Sequence, residues 1–118
     1  MSCHAIGEAM GFVAGEILRE FDHGVIYTSA AIRLLAATKR GVNFCDGNEG
    51  EWEADFVRCR CGKCLKAIPK GEKMYRPYNR PDDMLFSSVC QNCYSKLPDN
   101  YKSDKDDKFV SNGDPGYP

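Results

Sequence analysis

Histidine is nearly missing from this chain: 118 residues hold only His4 and His23, together with a single tryptophan, Trp52. Long apolar runs are missing too. The longest weakly polar stretch, Ala9 to Ala14, falls far short of the roughly 20 apolar residues that cross a bilayer, so no membrane span is expected. The start, Met1-Ser2-Cys3-His4, has no basic region followed by an apolar one, which argues against an export signal and for a reducing, cytoplasmic setting. No G-x-S-x-G, P-loop or H-E-x-x-H pattern occurs, and Gly7, Gly11 and Gly15 do not fit G-x-G-x-x-G. With no general base beside its cysteine-rich half, the chain is not expected to be an enzyme.

Charge is balanced overall and unevenly spread. The formal net charge is -1, the isoelectric point about 6.1 and the mean hydropathy -0.49, which fit a soluble protein and name no partner. Residues 1–56 carry four Lys/Arg against nine Asp/Glu, residues 57–81 eight against one, and residues 82–118 four against seven. A basic segment thus lies between acidic flanks. The length suits one domain, or a small domain with a modest extension, built on one core.

What the chain does have is cysteine, seven in all, four of them in two Cys-x-x-Cys pairs, Cys61/Cys64 and Cys90/Cys93, separated by 25 residues. A two-residue spacer lets one tight turn present two thiolates to one ion, and four thiolates complete a tetrahedral zinc site at about 2.3 Å per sulfur. A site filled by protein leaves no position for water or substrate, so the expected Zn²⁺, one per chain, is structural. Two redox-active pairs, or reduced core cysteines, are the alternative. Cys59 adds a third thiol for the first two positions and could replace Cys61; Gly62 at the tip favours Cys61. Cys3, His4, His23 and Cys45 share no ligand spacing, and no second site is expected.

Over residues 3–21, Ile6, Met10, Val13, Ile17 and Phe21 recur at helical spacing, predicting an amphipathic helix. Gly7, Gly11 and Gly15 lie on one face of it, each costing about 1 kcal/mol relative to Ala. Either the missing side chains let another helix approach, within the chain or across a homodimer, or the helix breaks near Gly11 or Gly15. After the break at Asp22-His23-Gly24, Thr28 or Ser29 would cap a second helix over 30–40, with Gly41 beyond its end. Ile32, Leu34, Leu35 and Ala36 would pack on the first helix as an αα-hairpin.

Beyond the polar loop 46–50, Trp52, Ala54 and Phe56 alternate with acids as in a half-buried strand. The turn Ile68-Pro69-Lys70-Gly71-Glu72 is flanked by the runs 65–68 and 73–76, which predicts a hairpin. A strand over 84–89 and a short helix over 91–97, stopped by Pro98, follow. The stretch 99–118 has little to bury and is expected to be disordered.

The order of knuckle, hairpin, strand, and helix bearing the second pair resembles a treble-clef zinc finger. The stretch from Cys61-Gly62-Lys63-Cys64 through Pro69-Lys70-Gly71-Glu72 to Tyr75 is similar to the knuckle and hairpin of LIM-like and PARP-like fingers. The likeness covers residues 59–97, and it implies ligand roles for Cys61, Cys64, Cys90 and Cys93 alone. Lys63 and Lys66 lie near enough in sequence to offset the site's negative charge, and a helix N-terminus at Cys90 favours thiolate. The expected class is α+β: a helical part over 1–45, a zinc-binding module over 46–98, and an acidic tail over 99–118.

Two roles compete. Arg58, Arg60, Lys63, Lys66, Lys70, Lys73, Arg76 and Arg80 surround Tyr75 and Tyr78, a pattern of phosphate-neutralising cations and rings able to stack on bases, which points to nucleic acid. Alternatively the Gly7/Gly11/Gly15 face and the acidic segment around Trp52 dock the chain on a larger protein as an adaptor or inhibitor.

Overall fold

The computed structural model describes residues 3–43 and 58–113, without the side chains of 3–8 and 42–43. It is α+β: the described residues form three α-helices and a small antiparallel sheet, in two compact units with the division after Arg58. No helix among the described residues is long and apolar enough to cross a membrane. The expected strand around Trp52, and Cys45, lie outside the described residues.

The first unit is a pair of packed helices, α1 (Cys3–Asp22) and α2 (Thr28–Asn43). α1 ends where Gly24 adopts φ +74°, a left-handed conformation natural to glycine; the Val25 amide then donates to the Glu20 carbonyl (2.9 Å) and the Gly24 amide to Phe21 (3.0 Å). That double closure satisfies carbonyls the helix would otherwise leave open.

The buried positions of α1 are Gly11, Ala14, Gly15 and Leu18, and those of α2 are Ala31, Leu35 and Thr38. This is rotated from the expected stripe. Val13 is 47% exposed, and Met10, Ile17 and Phe21 are half-buried. Small residues, Gly11, Ala14 and Gly15, hold most of the buried face, and the bulkier ones stand at its flanks. Gly41 departs from its expected place. It lies inside α2 rather than beyond it, where a Cβ would sit 3.4 Å from Met10 Cε. Nor does Thr28 cap the helix. It is the first helical residue, and the Tyr27 carbonyl accepts the first bond, from Ala31 at 3.0 Å.

The second unit, residues 59–114, is built on a sheet of order β2-β1-β3, with β1 Lys73–Arg76 between β2 Val89–Cys90 and β3 Asp107–Val110. Met74 faces Cys90 on one side and Phe109 on the other. α3 (Gln91–Ser95) follows β2 directly. Ile68, Met74, Tyr75, Met84 and Val89 form the core with Cys59 and Cys61, and Phe109 and Tyr94 pack against it.

Three expectations for this unit are corrected. The segment 65–68 does not pair with 73–76. It folds back on 59–61, with Cys61 N donating to Lys66 O (3.1 Å) and Ile68 N to Cys59 O (2.8 Å), because Leu65 at φ +67° reverses the chain straight after Cys64. The strand expected over 84–89 is reduced to Val89–Cys90; Met84, Leu85 and Phe86 are buried yet irregular, with Met84 N turned to Pro81 O and Leu85 N to Gly62 O.

The tail is ordered through Gly113: a 3₁₀ turn at Asp99–Tyr101, then β3. Its anchor is polar. Asp106, 9% exposed, accepts from Tyr78 N (2.8 Å), Ser103 N (3.0 Å) and Tyr94 Oη (2.5 Å), and buried Ser111 donates to Ile68 O (2.7 Å). A count of apolar residues cannot register that a buried carboxylate is well accommodated once amides surround it.

Candidate metal centre

Two turns bring the cysteines together. At the first, Cys61 Sγ accepts from the amides of Lys63 (3.4 Å) and Cys64 (3.5 Å), with Leu65 N donating to Cys61 O (2.9 Å). At the second, Cys90 is the N-cap of α3, and its sulfur accepts from Cys93 N (3.5 Å). Each pair is thus closed by a bond from the backbone amide of its second cysteine to the sulfur of its first. β2 carries Cys90 alongside β1, and Gly62 locks the two turns to each other: its amide donates to Ser88 O (2.8 Å) and its carbonyl accepts from Leu85 N (3.0 Å).

The sulfurs of Cys61, Cys64, Cys90 and Cys93 all lie within 4.8 Å of one another, and the four could hold a metal ion. Ligands about 2.3 Å from a central ion in a tetrahedron stand about 3.8 Å apart, so the cluster needs only a slight contraction. Cys61 is buried and the other three are half-buried. Four donors from the protein close a tetrahedral site.

Electrostatics give the cluster a reason to take a cation. The Cys64 thiol donates to Cys61, and with amides from the turn this outweighs burial and draws Cys61 down to about 4. The same bond, with burial, drives Cys64 upward. Burial, then the charge on Cys61, pushes Cys93 to about 12. Thiolates this close cannot all be charged on their own, and a divalent cation removes the conflict.

Cys59 stays outside the set. It is buried in the neighbouring core at φ +63°, and its carbonyl serves Ile68. The strand alternation that would put it beside Cys61 does not hold through a left-handed residue.

The predicted basic surface is only partly assembled. Arg58, Lys66, Lys70, Lys73, Arg76 and Arg80 are exposed. Arg60 is 3% exposed and donates to Leu65 O (3.1 Å), so it supports the first turn from inside. Lys63 pairs with Asp83 instead of lying over the sulfurs. Tyr75 is 8% exposed and stacked on Tyr94, ring centroids 4.3 Å apart and 7° from parallel, which removes it as a platform for bases. Tyr78 remains 63% exposed, with Lys105 Nζ 5.0 Å from its ring centroid.

Of the residues expected at a protein interface, Gly11 and Gly15 are buried within the chain; the surroundings of Gly7 and Trp52 lie outside the described residues. Sequence reasoning missed Asp106 and Tyr94, which brace α3 beside Cys93, and the only hint was one aspartate in an acidic run. No protein-family model, curated protein or solved structure matches this chain.

Proposed function

We propose that this is a small, non-enzymatic zinc protein whose single Zn²⁺ is architectural. The four converging sulfurs carry the reading. An all-thiolate donor set selects soft or borderline ions, and a closed tetrahedron suits zinc in a structural role. The arrangement of a turn-borne pair, a sheet and a helix-borne pair supports a treble-clef-like module. Metal analysis of purified protein tests it: one zinc per chain, lost together with the tertiary structure of residues 59–113 on chelation, is the expected result. Metal-free protein with that half still folded overturns it.

The zinc-bearing unit's proposed role is contact with nucleic-acid backbone through Lys66, Lys70, Lys73 and Arg76, whose exposure supports it. With Tyr75 buried, the interaction is with phosphates more than with bases, and its affinity falls steeply with salt. A gel shift at low ionic strength on holo protein tests the role, and absence of binding there removes it. A second reading is favoured by the helical pair, where Phe12, Val13 and Leu34 are 55%, 47% and 48% exposed: an accessory protein that docks on a larger protein. Loss of pull-down partners when Phe12 and Leu34 are changed to Ser would support it over the first.

A further inference from the structure

Two of the four cysteines share one surface groove, one from each pair. A surface groove of about 670 Å³ is lined by Cys64 and Cys90, with Ala67, Ile68, Gln91 and Ser95 around them. Cys61 and Cys93 do not line it. Cys61 is 0% exposed and takes two amide bonds, which draw electron density from its sulfur. The two groove cysteines belong to different pairs, and their sulfurs lie within 4.8 Å of each other. Joining them therefore takes one ligand from each turn and leaves neither pair able to chelate.

Resting on the zinc reading above, we infer that Cys64 and Cys90 are a modification site for hydrogen peroxide, at which oxidation to a Cys64–Cys90 disulfide expels the metal. One groove thiolate attacks the peroxide oxygen, the O–O bond breaks, and a sulfenic acid forms as hydroxide leaves. The second thiolate attacks that sulfur, an S–S bond forms, and the S–O bond breaks to release a second hydroxide. The two sulfurs lose two electrons, which the peroxide takes up. Both hydroxides are protonated to water, Zn²⁺ departs, and Cys61 and Cys93 each gain a proton. Reduction by a thiol restores the dithiol, after which zinc rebinds and the unit refolds.

The test uses the full-length holo protein. Its zinc content is measured first, which judges the zinc reading separately. The protein is then titrated with hydrogen peroxide while released zinc is followed with a colorimetric chelator, and disulfides are mapped by peptide mass. The expected result is one zinc released per peroxide consumed, a Cys64–Cys90 linked peptide, Cys61 and Cys93 still reduced, and reversal by dithiothreitol. Cys59→Ser, outside the cluster, should give the same curve. Zinc that is present but held through a stoichiometric dose of peroxide overturns the inference and leaves the zinc reading standing. Release accompanied by Cys61–Cys64 or Cys90–Cys93 pairing also overturns it, as does absence of zinc from the purified protein.

Discussion

The backbone of Gly62 lies so close to that of Phe86 that a Cβ on residue 62 would stand 2.6 Å from the Phe86 carbonyl oxygen and 2.8 Å from its amide nitrogen. Both neighbours are main-chain atoms and cannot swing aside. Gly62→Ala is therefore expected to be destabilising by about 1–3 kcal/mol or more, although methyl is the smallest side chain that can be added. It should also weaken metal retention, since Gly62 ties the two cysteine-bearing turns together. Thermal melts and chelator competition on the holo variant check this; a melt unchanged from the parent would contradict it.

Leu65 inverts a familiar ranking. At φ +67° it is strained by about 1 kcal/mol, while its side chain is 0% exposed. Leu65→Ala loses the packing and keeps the strain; Leu65→Gly loses the packing and relieves it. Both variants should be destabilised by about 2–5 kcal/mol, with the glycine variant the more stable by about 1 kcal/mol. Denaturant unfolding of the pair decides it, and alanine above glycine would refute it.

Removing one ligand should abolish the second unit. Structural zinc contributes about 10–16 kcal/mol to folding in small domains, far more than a sheet with strands of two to four residues supplies. Cys64→Ser and Cys93→Ser should therefore lose metal and amide-exchange protection over 59–113, whereas Cys3→Ser should be nearly silent. Equal melts for all three would contradict the ligand assignment.

Asp106 links stability to pH. Burial alone would raise its carboxyl, but bonds from Tyr78 N, Tyr94 Oη and Ser103 N outweigh it and hold the group below its ordinary value. The unfolded chain thus binds the proton more readily, so the contribution is complete above the ordinary carboxylate range and is lost as pH falls through the folded value. Tyr94 works from the other end. Its bond to Asp106, then burial, pushes it up to about 12, so it stays a donor through neutral pH and its contribution is lost as pH rises through that value. Asp106→Asn should lower stability by about 1.5–3 kcal/mol at neutral pH, as removal of a charged hydrogen-bond partner does. A double-mutant cycle with Tyr94→Phe should give positive coupling, and strict additivity would be the contrary result.

For the phosphate-contact role, Lys70→Ala and Lys73→Ala should each reduce the slope of log affinity against log salt by about 1, with little change in preference among sequences. A slope indifferent to both substitutions would point away from this face.

The cysteine cluster was legible because ligand spacing is a local property: two residues between paired sulfurs suffice to define a turn. Both long helices were legible from their periodicity. The buried face of α1 was not, because hydrophobic patterning points to the bulkiest residues, whereas the small Gly11, Ala14 and Gly15 occupy it. The hairpin was misplaced because nothing about Leu65 announces a left-handed residue; glycine would have. Arg60 and Tyr75 were read as surface groups by their type, and they are buried because the Leu65 carbonyl and the Tyr94 ring receive them. The tail was missed because its anchors, Asp106 and Ser111, find Tyr78 N, Tyr94 Oη and Ile68 O, groups remote in sequence.

Because the sheet runs β2-β1-β3, its central strand acquires its second neighbour only from residues 107–110, well after all four sulfurs have been made. A folding chain whose cysteines have converged before residues 107–110 dock leaves one flank of β1 bare. In that interval the exposed ladder is open to pairing with a stranger. The interval closes when Phe109 docks opposite Met74 and β1 gains a partner on its second edge.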